Sequence, residues 1–216
     1  MGVAGMSNPS VAAYGSISSL DENLAAQIVD VLVAAIAARG EASLVVSGGS
    51  SPIGFFQCLS RFDIAWQRVS IWLADERWVS AQDAQSNEKL VHTYLLQNFA
   101  AKARFMPLAG EHFSSGASAE QAALGLQQTH QHQSAFDLVI LGMGLDAHTA
   151  SLFPGISELV TGLDAASDSH FIATQSPAAP HQRISMTLAR LVNARQVYLH
   201  VTGQEKVAAL QDAWLN

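Results

Sequence analysis

A recurring junction constrains this chain more than any other feature: a short, largely apolar run gives way at once to a polar cluster. "SLVV" (43–46) runs into "SGGSSP" (47–52), "VSIWL" (69–73) into "ADER" (74–77), and "FDLVIL" (136–141) into "GMGLDAH" (142–148). A strand buried on both faces of a parallel sheet is apolar along its length, whereas a strand with one wet face alternates. Helical signals lie between these runs. Residues 24–38 have amphipathic spacing, with Ser19 and Glu22 as a capping box and Gly40 as the stop. Pro52 suits the first position of a further helix. Helices are expected over 87–98, from the Ser118/Gln121 capping box to 131, and over 204–215, with further strands over 171–174 and 196–201. Residues 1–18 read as an irregular lead-in and 109–117 as a loop.

Strands alternating with helices define the fold class: an α/β protein with a mostly parallel central sheet flanked by helices, Rossmann-like, in one domain over 1–216. With 49% hydrophobic and 13% charged residues, the chain can fill such a core. In open parallel sheets ligands bind beyond the carboxyl ends of the strands. The clusters 47–52, 75–77 and 142–151 all sit at such ends and are expected to converge on one crevice.

Composition excludes several partners. A net charge of −7 argues against nucleic acid. No apolar run reaches membrane-span length, and the N-terminus lacks the order of a signal peptide, so a soluble cytoplasmic protein is expected. Cys58 is the lone cysteine and is expected to pack, not react. The lysines are Lys89, Lys102 and Lys206, so an anionic ligand must rely on a few specific cations and on backbone amides. Nothing in the sequence marks an oligomeric interface.

Each cluster has a chemical reading. Gly48, Gly49, Ser50 and Ser51 have the parts of an anion cradle, without the lysine of a nucleoside-triphosphate loop. Taken alone, Asp75-Glu76-Arg77 reads as a surface charge cluster, and Arg183 and Lys206 as solvated side chains. A dinucleotide reading of 142–147 fails because Asp164 precedes the next strand instead of ending it. The catalytic reading is better: His148 can take a proton near neutral pH and Asp146 can orient its ring. Thr149 and Ser151 are then expected to cap a helix that begins there. No Gly-x-Ser-x-Gly surrounds Ser50 or Ser51, and His130 and His132 point to different helix faces; neither a serine nucleophile nor a metal is expected.

In order, "LVVSGGSSPIGFF" (44–56), "VSIWLADERWV" (69–79) with "SNEKLV" (86–91), "FDLVILGMGLDAHTASLFPG" (136–155) and "PHQRISMTLARLVNARQVYLHVTGQEKVAAL" (180–210) resemble the 6-phosphogluconolactonase family. The resemblance implies hydrolysis of 6-phospho-D-glucono-1,5-lactone without a cofactor, on a fold shared with glucosamine-6-phosphate deaminases and ribose-5-phosphate isomerases. It implies His148 as general base with Asp146 behind it, and Asp75 and Arg77 near the lactone ring. Phosphate would be held by Gly48, Gly49, Ser50, Ser51, Arg183 and Lys206. The deaminase motif continues after the histidine toward Asn-Glu; here Thr149-Ala150-Ser151 follows, and Arg77 follows Asp75-Glu76, which favours the lactonase. A non-catalytic sugar-phosphate sensor would carry a DNA-binding segment, for which there is no basic stretch. Two departures stand out. The family has glycine where Ala147 stands, where a positive φ would cost about 1 kcal/mol, and relatives continue past Asn216 with a further strand.

Overall fold

The computed structural model describes residues 10–176 and 180–215, so most of the expected lead-in, residues 1–9, lies outside the described residues. Helix α1 (Ile17–Arg39) starts a turn earlier than expected. Ser16, not Ser19, is the cap and accepts from the Ser19 amide at 3.1 Å, and Gly40 closes the helix in the left-handed region at φ 81°. Helix α5 (Ala119–His130) has the reciprocal Ser118/Gln121 capping box read from the sequence. Helix α8 spans Gln204–Leu215 as expected. The intervening helices are α2 (Ile53–Leu59), α3 (Asn87–Tyr94), α4 (Gly110–Ser114), α6 (Leu159–Gly162) and α7 (Leu188–Val192). Pro52 sits one position before α2, as its cap, and α4 occupies part of the expected 109–117 loop.

Five parallel strands form the main sheet: β1 (Ala42–Val46), β2 (Val69–Leu73), β4 (Arg104–Met106), β5 (Leu138–Leu141) and β8 (Val197–Leu199), in the order β4-β2-β1-β5-β8. β1 and β5 are buried along their whole length, which is why they read as unbroken apolar runs. From β1 the chain builds outward through β2 and β4 on one side, then returns to place β5 on the other. The switch point therefore lies between β1 and β5.

A second, antiparallel sheet was not expected: β3 (Asp75–Arg77), β7 (Gln182–Met186) and β6 (Phe171–Gln175), in the order β3-β7-β6. Thus Asp75-Glu76-Arg77 is no surface cluster; it is a short strand with Asp75 and Glu76 buried. Phe171, Ile184 and Met186 carry this sheet into the same apolar core as Trp66, Phe56, Leu44 and Ile71.

Polar anchors at the amino ends hold the main sheet in place. Asp137 is buried at the start of β5 and accepts from the Ser43 amide at 2.8 Å and its hydroxyl at 3.1 Å, and it pairs with Arg39 of α1. Arg190 is fully buried with its guanidinium 3.8 Å over the Phe136 ring, and burial lowers its pKa to about 10, so it stays charged. Among the described residues no helix is long and apolar enough to cross a membrane. Cys58 packs against the core, and burial raises its thiol pKa.

Candidate active site

At the switch point the loops after β1 and β5 lie side by side. The Ser47 hydroxyl donates to the Ile140 carbonyl at 3.3 Å. Between these loops, the antiparallel sheet and the start of α8 opens a crevice of about 360 Å³. The three expected clusters do converge there. Gly48, Gly49, Ser50, Ser51, Asp75, Arg77, His148, Arg183 and Lys206 all line it.

The His148 corner is built by local geometry. His148 Nδ1 and Asp146 Oδ1 are 2.5 Å apart, so Nδ1 donates to the carboxylate and, in the neutral ring, Nε2 is the nitrogen that can accept a proton. The Gly144 amide donates to the His148 carbonyl at 2.9 Å and the Ala147 amide to the Gly144 carbonyl at 3.1 Å. A Cβ on Gly144 would lie 2.3 Å from the ring, so only glycine lets the imidazole fold back over the loop. Phe153 packs against the same ring at a tilt of 51°, with centroids 4.5 Å apart. Ala147 has φ 64°, in the left-handed region, so the departure from glycine does carry strain. Burial raises the Asp146 pKa, but its hydrogen bond and charge interaction with His148 and two backbone amides outweigh that and hold the carboxyl below its usual range.

No helix begins at Thr149. Residues 142–158 lack helix or strand, because Ala147, Ala150 (φ 50°) and Gly155 (φ 81°) all leave helical backbone and Pro154 interrupts it. Ser151 therefore caps nothing. It is fully buried, and its hydroxyl donates to Asp75 Oδ2 at 2.6 Å.

The glycine loop is shaped by its neighbours. Gly49 has φ 92°, which suits glycine. A Cβ on Gly48 would lie 1.8 Å from Asn87 Oδ1, and Asn87 is itself tied to the Asp75 carbonyl at 2.8 Å. The Ser51 hydroxyl is met by Thr202 Oγ1 at 3.2 Å and Lys206 Nζ at 3.5 Å. Lys206 is thus directed at this loop instead of solvent.

Arg77 and Arg183 face each other in the β3–β7 register. Burial pushes the Arg183 pKa down, as does the Arg77 charge, while Asp75 and Glu76 oppose this. Like charges directly across a strand pair are unfavourable. Arg77 Nη1 donates to the Gln85 carbonyl, but among the described residues neither arginine makes an ion pair, and both line the crevice, where an anion would relieve their mutual repulsion.

Three residues escaped the sequence reading. Glu76 is buried and accepts from the amides of Arg77, Asn87 and Glu88 and from the Ser86 hydroxyl, all within 3.0 Å, which closes the start of α3 and sets Arg77 and Asn87. Burial still leaves its pKa raised despite those donors. Asn87 lines the crevice behind Gly48. His200, at the end of β8, lines it beside Lys206; burial, then the Lys206 charge, lower its pKa to about 4. Only "SN" at 86–87, shortly after "DER", hinted at the first two.

An Asp-backed histidine beside three cationic side chains, at the switch point of a parallel sheet, is the layout of an α/β enzyme. The chain belongs to the glucosamine-6-phosphate isomerase/6-phosphogluconolactonase family, whose model matches residues 16–216. It is 42% identical over 195 residues to a 6-phosphogluconolactonase of Pseudomonas putida, covering 90% of this chain and 79% of the relative. A solved 6-phosphogluconolactonase from Shewanella baltica is 42% identical, with a TM-score of 0.87 over 93% of this chain and 84% of the other. A monomeric glucosamine-6-phosphate deaminase shares the fold at 17% identity, with a TM-score of 0.72 over 93% of this chain and 85% of the other.

Proposed function

We propose that this enzyme hydrolyses 6-phospho-D-glucono-1,5-lactone to 6-phospho-D-gluconate, a step of the pentose phosphate pathway, using water activated by His148. The carrying observation is the His148–Asp146 pair at 2.5 Å in the same crevice as Arg77, Arg183 and Lys206, in a chain 42% identical to a 6-phosphogluconolactonase.

Asp146 fixes the ring so that Nε2 takes a proton from water as the water attacks the lactone carbonyl carbon. The C=O electrons move onto oxygen, where Arg77 or the loop amides stabilise the oxyanion. Collapse breaks the bond between the carbonyl carbon and the ring oxygen, and that oxygen leaves with the proton from His148. Gly48, Gly49, Ser50, Ser51, Arg183 and Lys206 hold the phosphate, whose binding energy positions a carbonyl remote from it. A δ-lactone is an activated ester, so this chemistry calls for no metal or cofactor, and chelator treatment is expected to leave the rate unchanged. The proposed setting is the cytoplasm, in keeping with a net charge of −7 and one cysteine.

The test is acid release from freshly generated 6-phosphogluconolactone beside unphosphorylated gluconolactone, corrected for spontaneous hydrolysis. The reading predicts strong preference for the phosphorylated lactone. Robust ammonia release from glucosamine 6-phosphate, with no lactonase activity, would overturn it.

A further inference from the structure

We propose that Ser151 is a positioning residue: it clips the His148 loop onto the antiparallel sheet and so sets the base at a fixed distance from the arginine pair. Its kinetic arm rests on the lactonase reading; its geometric arm does not.

The loop has no regular structure of its own, and its internal bonds only close it on itself. Ala147 and Ala150 both stand at positive φ, 64° and 50°. Backbone of that kind persists when surrounding contacts over-determine it. Ser151, next to Ala150, supplies those contacts. Its amide donates to Ser185 Oγ on β7 at 3.1 Å and its hydroxyl to Asp75 Oδ2 on β3 at 2.6 Å. Ser185 spends its own proton on the Met186 carbonyl at 3.0 Å and is therefore free to accept. Among the described residues these are the hydrogen bonds that join residues 144–152 to the antiparallel sheet.

The register gives the clip its meaning. Asp75 and Ser185 are a cross-strand pair, and the pair two positions along is Arg77 and Arg183. Residues two apart share a face and lie about 6.8 Å apart along a strand. One serine thus bonds to both members of the Asp75–Ser185 pair, two register positions from the arginine pair that lines the crevice. A substrate that touches both His148 and the arginines reads the separation this clip imposes. Misplacement by about 1 Å can cost about 100-fold in rate.

The test compares Ser151→Ala with wild type in kcat, KM, affinity for 6-phosphogluconate, thermal unfolding and the low-field His148 Nδ1–H proton resonance. We expect kcat to fall about 10- to 100-fold, with product affinity within about threefold and the resonance shifted or broadened. A kcat within about threefold of wild type, together with an unchanged resonance, overturns the proposal. If Ser151→Ala does not fold, Ser185→Ala removes the acceptor of the Ser151 amide while keeping the hydroxyl bond to Asp75. It should move kcat and the resonance in the same direction by less, and no movement in either is contrary evidence. Should the wild type fail to hydrolyse the lactone, the functional reading falls, while the resonance in the variant still decides the clip.

Discussion

At the scale of single residues, the cations divide by surroundings. Lys206 reaches Ser51 in the glycine loop at 3.5 Å, whereas Arg183 stands opposite Arg77. Both are assigned to binding, so Lys206→Ala and Arg183→Ala should each raise KM at least about tenfold with kcat changed less. Steady-state kinetics on the phosphorylated lactone checks this, and a fall in kcat alone would move either residue into the chemistry. Ala147 carries its own test. With φ 64° it is strained, so Ala147→Gly should stabilise the fold by about 0.5–1 kcal/mol, read as a higher urea midpoint. The contact between His148 and Asp146 was legible because the two residues lie two positions apart after a strand. Glu76 was not, because the four donors that stabilise a buried carboxylate come from residues up to 12 positions away.

At the scale of elements, legibility followed the reach of the signal. The α5 capping box and the Gly40 stop are read from residues within a turn of each other, and both stand as expected. β3 and β7 are different. "DER" has no apolar residue and "QRISM" only Ile184 and Met186, too short a pattern to read; β3 is a strand because it pairs with β7, and β7 because it pairs with both β3 and β6. The helix expected at Thr149 failed for the converse reason: a good cap sequence met backbone held at positive φ by tertiary contacts. The contact between the glycine loop and α3 can be tested directly. A Cβ at Gly48 would fall 1.8 Å from Asn87 Oδ1, and Asn87 is held by Asp75, so neither side can yield cheaply. Gly48→Ala should therefore raise KM and cost about 1–3 kcal/mol of stability by overpacking, measured by kinetics and chemical denaturation. An unchanged KM would show that the loop does not set the ligand.

At the scale of the whole molecule, two sheets share one core and their junction is the crevice; β1, β2, β5, β6 and β8 were readable from apolar runs, and β3, β4 and β7 only from the folded structure. This architecture buries His200, and that fixes an acid limit. His200 titrates at about 4 in the fold, against an ordinary 6.5, because burial and then Lys206 disfavour its cation. Between these values the unfolded chain binds a proton that the native state does not. Stability is therefore fully present above about pH 6.5 and declines as pH falls toward 4, by up to about 3 kcal/mol. His130 and His170, lowered by burial and then by Arg190, act in the same direction. Denaturation midpoints from pH 8 to 4 check the slope, and His200→Phe should flatten it. A flat wild-type profile would contradict the burial of a neutral His200.

In the proposed mechanism His148 supplies the proton transfer while the rest of the crevice supplies the grip. Measuring kcat and 6-phosphogluconate affinity for His148→Ala beside wild type tests it most directly. A loss in kcat of about 10²- to 10⁴-fold is expected, with product affinity within about threefold. A His148→Ala enzyme with near wild-type kcat would contradict it.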